Sequence, residues 1–113
     1  LQGDEGGAVA RIAIDAAFWS ALEGLQEGDE LLLLTWLHRA RRDVLQVHPR
    51  GDERRPLTGV FATRSPDRPN PLGLHRVQLL RRLAPGLLEV SPLEAIDGTP
   101  LVDVKPVLSP DDR

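Results

Sequence analysis

The chain has 113 residues, 41% of them hydrophobic and 27% charged, with a formal net charge of −3 and no cysteine. That size holds one domain with a single modest core, and the composition excludes a disordered chain. The longest apolar run, Leu31 to Leu34, is far short of a bilayer span, and the lack of cysteine excludes disulfides, thiolate metal sites and a thiol nucleophile.

AVARIAI (8–14) alternates Val9, Arg11 and Ala13 with Ala10, Ile12 and Ile14 and predicts a strand. Asp15 is placed to N-cap a short helix, AAFWSALEGL (16–25), with Phe18, Leu22 and Leu25 on one face and Gly24 near its end. QEGDE is a turn. ELLLLTWLH (30–38) is a continuous apolar run of strand length, which predicts a buried strand. DVLQVHP (43–49) alternates Val44, Gln46 and His48 with Leu45 and Val47, a strand pattern, before the loop PRGDERRP (49–56). LTGVFAT (57–63) is a short strand leading into RSPDRPNP (64–71). LGLHRVQLLRRL (72–83) and GLLEVSPLEAI (86–96) are strand-like runs around Ala84-Pro85-Gly86, although arginines weaken the first. DGTP (97–100) is a tight turn, LVDVKPV (101–107) a last strand, and SPDDR (109–113) a mobile tail. Six or seven short strands with one short helix predict a mainly-β domain over 1–108, a small barrel or sandwich.

RSPDRPNP sets three prolines within eight residues. Proline fixes its own φ and pushes the preceding residue toward extended geometry, so Ser65, Arg68 and Asn70 sit in a stiff, extended loop. Such a loop is either a structural corner or a pre-organised binding edge. Charge is distributed unevenly around it. Eleven arginines face four acids between Arg39 and Arg82, whereas the remainder has three basic and thirteen acidic residues. A basic middle in an acidic protein fits a local anionic partner; a solvated arginine-rich surface explains it equally. His38, His48 and His75 lack the paired spacing of a zinc site, so no metal is expected.

GVFATRSPDRPNPLG (59–73) closely resembles the signature of the TsaA/TrmO-like family, also called YaeB, and LEAIDGTPLVDVKP (93–106) resembles that family's second element. A looser match is the apolar strand closed by TWLH. The resemblance runs from Gln2 to about Leu108 and implies a closed or nearly closed β-barrel with one short helix. It implies an S-adenosylmethionine-dependent methyltransferase, usually a cytoplasmic homodimer. The substrate it implies is the N6 position of threonylcarbamoyladenosine next to the anticodon of tRNA. It further implies a strand ahead of Gln2 and, in longer members, a C-terminal extension. With LQGDEGG as the opening residues and no initiator methionine or signal-peptide pattern, a trimmed N-terminus is the expectation.

The resemblance places cofactor contacts at Gln2, Gly3, Asp4, His38, Arg39, Arg64, Leu74, Glu94, Ala95, Ile96 and Asp97. Chemistry agrees: an arginine fork suits a carboxylate, and acidic side chains suit ribose hydroxyls or a sulfonium. Asp97 is also ordinary turn chemistry, Leu74 an ordinary core residue and His38 an ordinary strand-end histidine. The expected catalytic set is Asn70, Arg68 and Asp97. Asn70 would orient the acceptor base, Arg68 would meet phosphate or the substrate's carboxylate, and Asp97 would take a proton, with Asp103 and His75 as other candidates for that last role. Satisfying loop carbonyls is the competing role for Asn70 and Arg68. Arg41, Arg42, Arg50, Arg54, Arg55 and Arg76 are the candidates for RNA phosphate. Phe18, Trp19, Trp36 and Phe61 all lie in core-like patterns, which counts against a general single-strand binder. The alternatives are a methyltransferase for another nucleoside or small molecule, and a non-catalytic RNA-binding barrel.

Overall fold

The computed structural model describes residues 7–95 and 97–109. Its strands are β1 (Ala10–Ala13), β2 (Glu30–Trp36), β3 (Gln46–Val47), β4 (Thr58–Gly59), β5 (Leu72–Ala84), β6 (Leu87–Ser91) and β7 (Leu101–Pro106). Five form one antiparallel sheet in the order β1-β6-β5-β2-β7, while β3 and β4 pair separately.

β2 is the central organiser. Leu31, Leu33 and Thr35 are buried on its inner face, and Leu32, Leu34 and Trp36 are half-buried on the outer one. The continuous apolar run therefore hides the two-residue alternation of a pleated strand. β5 keeps the same alternation, with Gly73, Val77 and Leu79 buried and Leu72, Leu74 and Arg76 exposed. Its arginines do not interrupt the strand because each finds a partner across it. Arg76 pairs with Glu30 at 2.9 Å, Arg81 with Glu89 at 2.9 Å, and Arg82 donates to the carbonyls of Leu22 and Leu25. Glu89 is buried between Arg81 and Arg11, its register partners on β5 and β1.

Strands lie ~4.8 Å apart in a sheet, so a flat arrangement would put β1 about 14 Å from β2, three steps away. Instead Ile12 of β1 joins Leu31 and Leu33 of β2, Val77 and Leu79 of β5, Leu88 and Val90 of β6, and Leu22 in one core. The sheet is curled around its inner face. Among the described residues no closed barrel forms: β1 and β7 are the sheet's edges, with no ladder between them.

Three other expectations change. The helix at 16–25 is a 3₁₀ segment, Ala16–Leu22, in which only Leu22 is buried. Asp15 makes no side-chain cap; its main-chain carbonyl accepts the Phe18 N–H at 2.9 Å. The alternation over 43–49 yields only the two residues of β3, and 57–63 divides into β4 and a 3₁₀ turn, Val60–Ala62. With no second layer over β3 and β4 there is little apolar burial to extend them. Of the tail, 110–113 lies outside the described residues.

Gly73 faces Thr35 across the β2–β5 ladder. A Cβ there would stand 2.7 Å from His75 Nε2 and 3.1 Å from Leu37 Cδ2, and would collide with Thr35 Oγ1. Gly73→Ala is expected to destabilise the fold by about 1–3 kcal/mol, the range for overpacked cores, measured as a lower midpoint in urea unfolding.

Candidate functional site

The two sequence motifs meet at one end of β2. The Trp36 N–H donates to the Pro100 carbonyl at 3.0 Å and the Leu37 N–H to the Pro71 carbonyl at 2.8 Å. DGTP and RSPDRPNP are thereby anchored on consecutive residues. The segment after β2 then packs on the stiff loop: the Arg41 N–H donates to Asp67 Oδ1 at 2.8 Å, the Arg68 N–H to the Arg41 carbonyl at 2.9 Å, and Arg42 Nε to the Pro69 carbonyl at 3.4 Å. Arg42 also lies over the Trp36 ring, 5.1 Å from its centroid.

The loop is knit internally. Thr63 Oγ1 donates to the Val60 carbonyl and accepts from the Ser65 N–H, while Ser65 Oγ accepts from the Asp67 N–H. Arg68 Nη1 donates to the carbonyls of Thr63 at 2.9 Å and Ser65 at 3.2 Å. Its half-buried guanidinium is thus the loop's own clamp. Arg64, by contrast, is exposed and has no partner among the described residues. Asn70 uses its carbonyl to accept the Leu72 N–H at 2.8 Å, and its exposed amide side chain has no partner among the described residues. His38 and Arg39, on the turn beside this loop, are likewise exposed and without a partner among the described residues.

A cleft of about 490 Å³ opens on the inner face next to this end. Val9 and Ile12 line it from the β1 side, Leu101 from β7, Leu33 and Thr35 from β2, and Ala95, Asp97 and Thr99 from the segment joining β6 to β7. Of the expected cofactor contacts, Ala95 and Asp97 line this cleft, with Glu94 exposed beside them. His38, Arg39 and Arg64 belong to the adjoining loops. Leu74 points from the outer face of β5, opposite Leu34, so only its main chain is available to a ligand on the inner side. Gln2, Gly3, Asp4 and Ile96 lie outside the described residues.

Of the candidate proton acceptors, Asp97 is exposed on the cleft, and its carboxylate has no partner among the described residues. Asp103 sits on β7 opposite Leu34, with Oδ1 accepting the Val104 N–H. His75 is half-buried and shares a 2.8 Å hydrogen bond with Thr35 Oγ1; burial pushes its pKa below the usual 6.5. Sequence reasoning missed Thr35, although its place two residues after Leu33 on an alternating strand is the signal that puts it inward. Among the described residues no cluster of metal-ligating side chains occurs.

The phosphate candidates separate. Arg41 pairs with Asp43 and Arg54 with Asp52; these exposed partners hold both carboxyls below the usual carboxylate range. Arg55 is 3.8 Å from Asp52, and Arg50, at φ 58, has no partner among the described residues. Exposed pairs of this kind are weak, so they do not withhold these arginines from a polyanion. Arg76 is not gathered with the others; it lines a separate cleft with Glu30, Gln78 and Pro92.

The model of the tRNA-methyltransferase O N-terminal domain family matches residues 2–113. A probable S-adenosyl-L-methionine-binding protein of Methanocaldococcus jannaschii is 42% identical over 92 residues, covering 78% of this chain and 72% of that protein. An S-adenosyl-L-methionine-binding protein of Archaeoglobus fulgidus is 39% identical over 104 residues, covering 92% of this chain and 73% of its own length. The crystal structure of TrmO from Pseudomonas aeruginosa superposes with a TM-score of 0.66 at 33% identity, covering 89% of this chain and 41% of that one. The chain thus spans under half of the solved protein.

The His75 site makes stability pH-dependent. A folded-state pKa below 6.5 means that under this pH the native protein binds fewer protons than the unfolded chain, so acidification favours unfolding. The contribution is present above pH 6.5 and is lost as pH falls through the depressed folded value. Melting temperature is expected to drop over that range, and to drop less in His75→Ser.

Proposed function

The chain belongs to the tRNA-methyltransferase O N-terminal domain family, and on that premise we propose that it is an S-adenosylmethionine-dependent methyltransferase acting on N6 of threonylcarbamoyladenosine beside the tRNA anticodon. One observation carries the reading. Consecutive N–H groups of Trp36 and Leu37 bring the DGTP turn and the PNP loop to one end of the sheet, where Arg39, Arg64, Asn70, Glu94 and Asp97 have no partner among the described residues.

That donor set fits the cofactor. Arg64 and Arg39 suit its carboxylate, and Glu94 and Asp97 suit ribose hydroxyls and offset the sulfonium charge. Apolar Leu33, Leu101 and Ala95 in the cleft suit a flat base. When bound, S-adenosylmethionine supplies an electrophilic methyl group. The protein's task is alignment, which carries much of the barrier reduction in a transfer of this kind. The Asn70 amide, on a loop held by its own hydrogen bonds, orients the acceptor base at little further entropic cost. The Asp97 carboxylate takes the proton of the carbamoyl-bearing nitrogen, which is more acidic than a plain exocyclic amine. Arg41, Arg42, Arg50, Arg54 and Arg55 contact RNA phosphate. A homodimer and a cytoplasmic setting belong to the same proposal. Leu72 and Leu74 on the outer face of β5, each 47% exposed beside half-buried Leu34 and Trp36, support the first as an apolar strip for a second copy.

Calorimetric titration of S-adenosylmethionine is the first test. Saturable binding that weakens about tenfold or more in Arg64→Ala is expected, the scale of a lost charge-assisted hydrogen bond; no binding by folded protein would refute the reading. Methyl transfer to tRNA carrying threonylcarbamoyladenosine, and not to tRNA lacking it, is expected next. Transfer to neither would refute the substrate. Affinity for tRNA is expected to fall linearly in log–log form with salt, and Arg50→Ala to reduce that slope by about one.

A further inference from the structure

Phe61 was expected in the core and is instead 82% exposed. Nothing about this exposure is loose. Val60 before it is buried and donates its N–H to the Leu45 carbonyl at 2.9 Å, and the Thr63 N–H and Oγ1 both return to the Val60 carbonyl. The 3₁₀ turn Val60–Ala62 is therefore pinned on both sides. Arg68 stands over the ring, 6.0 Å from its centroid, held there by the carbonyls of Thr63 and Ser65. Arg64, three residues on, is exposed and without a partner among the described residues.

We propose that Phe61 is a stacking platform for an unpaired nucleobase of the RNA substrate. The proposal rests on the RNA reading above and adds a positioning residue to it. An aromatic ring with few side-chain rotors, fixed on a rigid turn, loses little freedom when a flat partner covers it. Every base offers a π face, and such stacking is the usual grip on single strands. The surroundings favour RNA over a second copy of the chain. Between Arg39 and Arg68 there are eight arginines against four acids. A two-fold contact centred on Phe61 would set this basic patch against itself, whereas a polyanion neutralises it.

The test compares wild type with Phe61→Leu, which keeps apolar area but loses the π face, and with Phe61→Trp. Binding is read with a fluorescent single-stranded oligo(A) and with tRNA, alongside cofactor titration and sedimentation. Phe61→Leu is expected to weaken both RNAs about tenfold, on the scale of one lost stacked base, with cofactor affinity and sedimentation unchanged. Phe61→Trp is expected to restore binding, with its added emission quenched by oligo(A). If wild type binds and methylates tRNA while Phe61→Leu binds both RNAs equally well, the platform is overturned and the substrate reading stands. If wild type takes the cofactor but no RNA, both fall. A change of sedimentation in Phe61→Leu would assign the ring to a second copy, and loss of cofactor affinity would assign it to the cofactor; either overturns the proposal.

Discussion

Two adjacent hydrogen bonds at the end of β2 hold the arrangement together. A strand's peptide groups alternate in direction, so successive N–H groups point to opposite neighbours. Trp36 therefore reaches the Pro100 carbonyl on the β7 side, and Leu37 the Pro71 carbonyl on the β5 side. Both acceptors are prolines, which have no N–H with which to extend a ladder but keep a carbonyl. Each loop thus stops at β2 instead of continuing as sheet. The unpartnered side chains of both loops are gathered by main-chain bonds, leaving their own polar groups unspent.

Economy of the same kind governs the charges. The arginines that order the fold are those with fixed protein acceptors: Arg68 on two loop carbonyls, Arg82 on the carbonyls that end the first 3₁₀ segment, and Arg81 on buried Glu89. Removing any of these would strand a desolvated acceptor. Arg39, Arg50 and Arg64 have no partner among the described residues. The basic middle of the sequence is thus a mixture of brackets for the chain and cations left for something else, a division that counting charges does not reveal.

Legibility in the sequence followed burial. β2 and β5 were readable because each presents an inner face to the core, and the stiff loop was readable because proline acts locally. The alternation over 43–49 misled because periodicity marks a strand only where one face is covered; β3 and β4 have no such cover. Phe61 misled for the same reason, since a hydrophobic residue within a short strand pattern is assigned inward by default. The pairing of Thr35 with His75, forty residues apart, is set by the register between β2 and β5, which no local pattern encodes. The roles expected of Arg64 and Asp97 came from motif resemblance and that of Asn70 from the stiffness of its loop; that their side chains have no partner among the described residues became visible only once the loops' internal bonds were accounted for.

The unsealed seam between β1 and β7 has a mechanical meaning. In a closed barrel, widening the interior requires tearing a row of inter-strand bonds. Among the described residues the cleft is lined from both edge strands, β1 and β7, as well as from β2 and the segment joining β6 to β7, so a slight change of coiling would alter its width while the ladder bonds survive. The cleft is a spring clip more than a socket. The proline loop, held by its own hydrogen bonds, stands beside the opening as a fixed jaw.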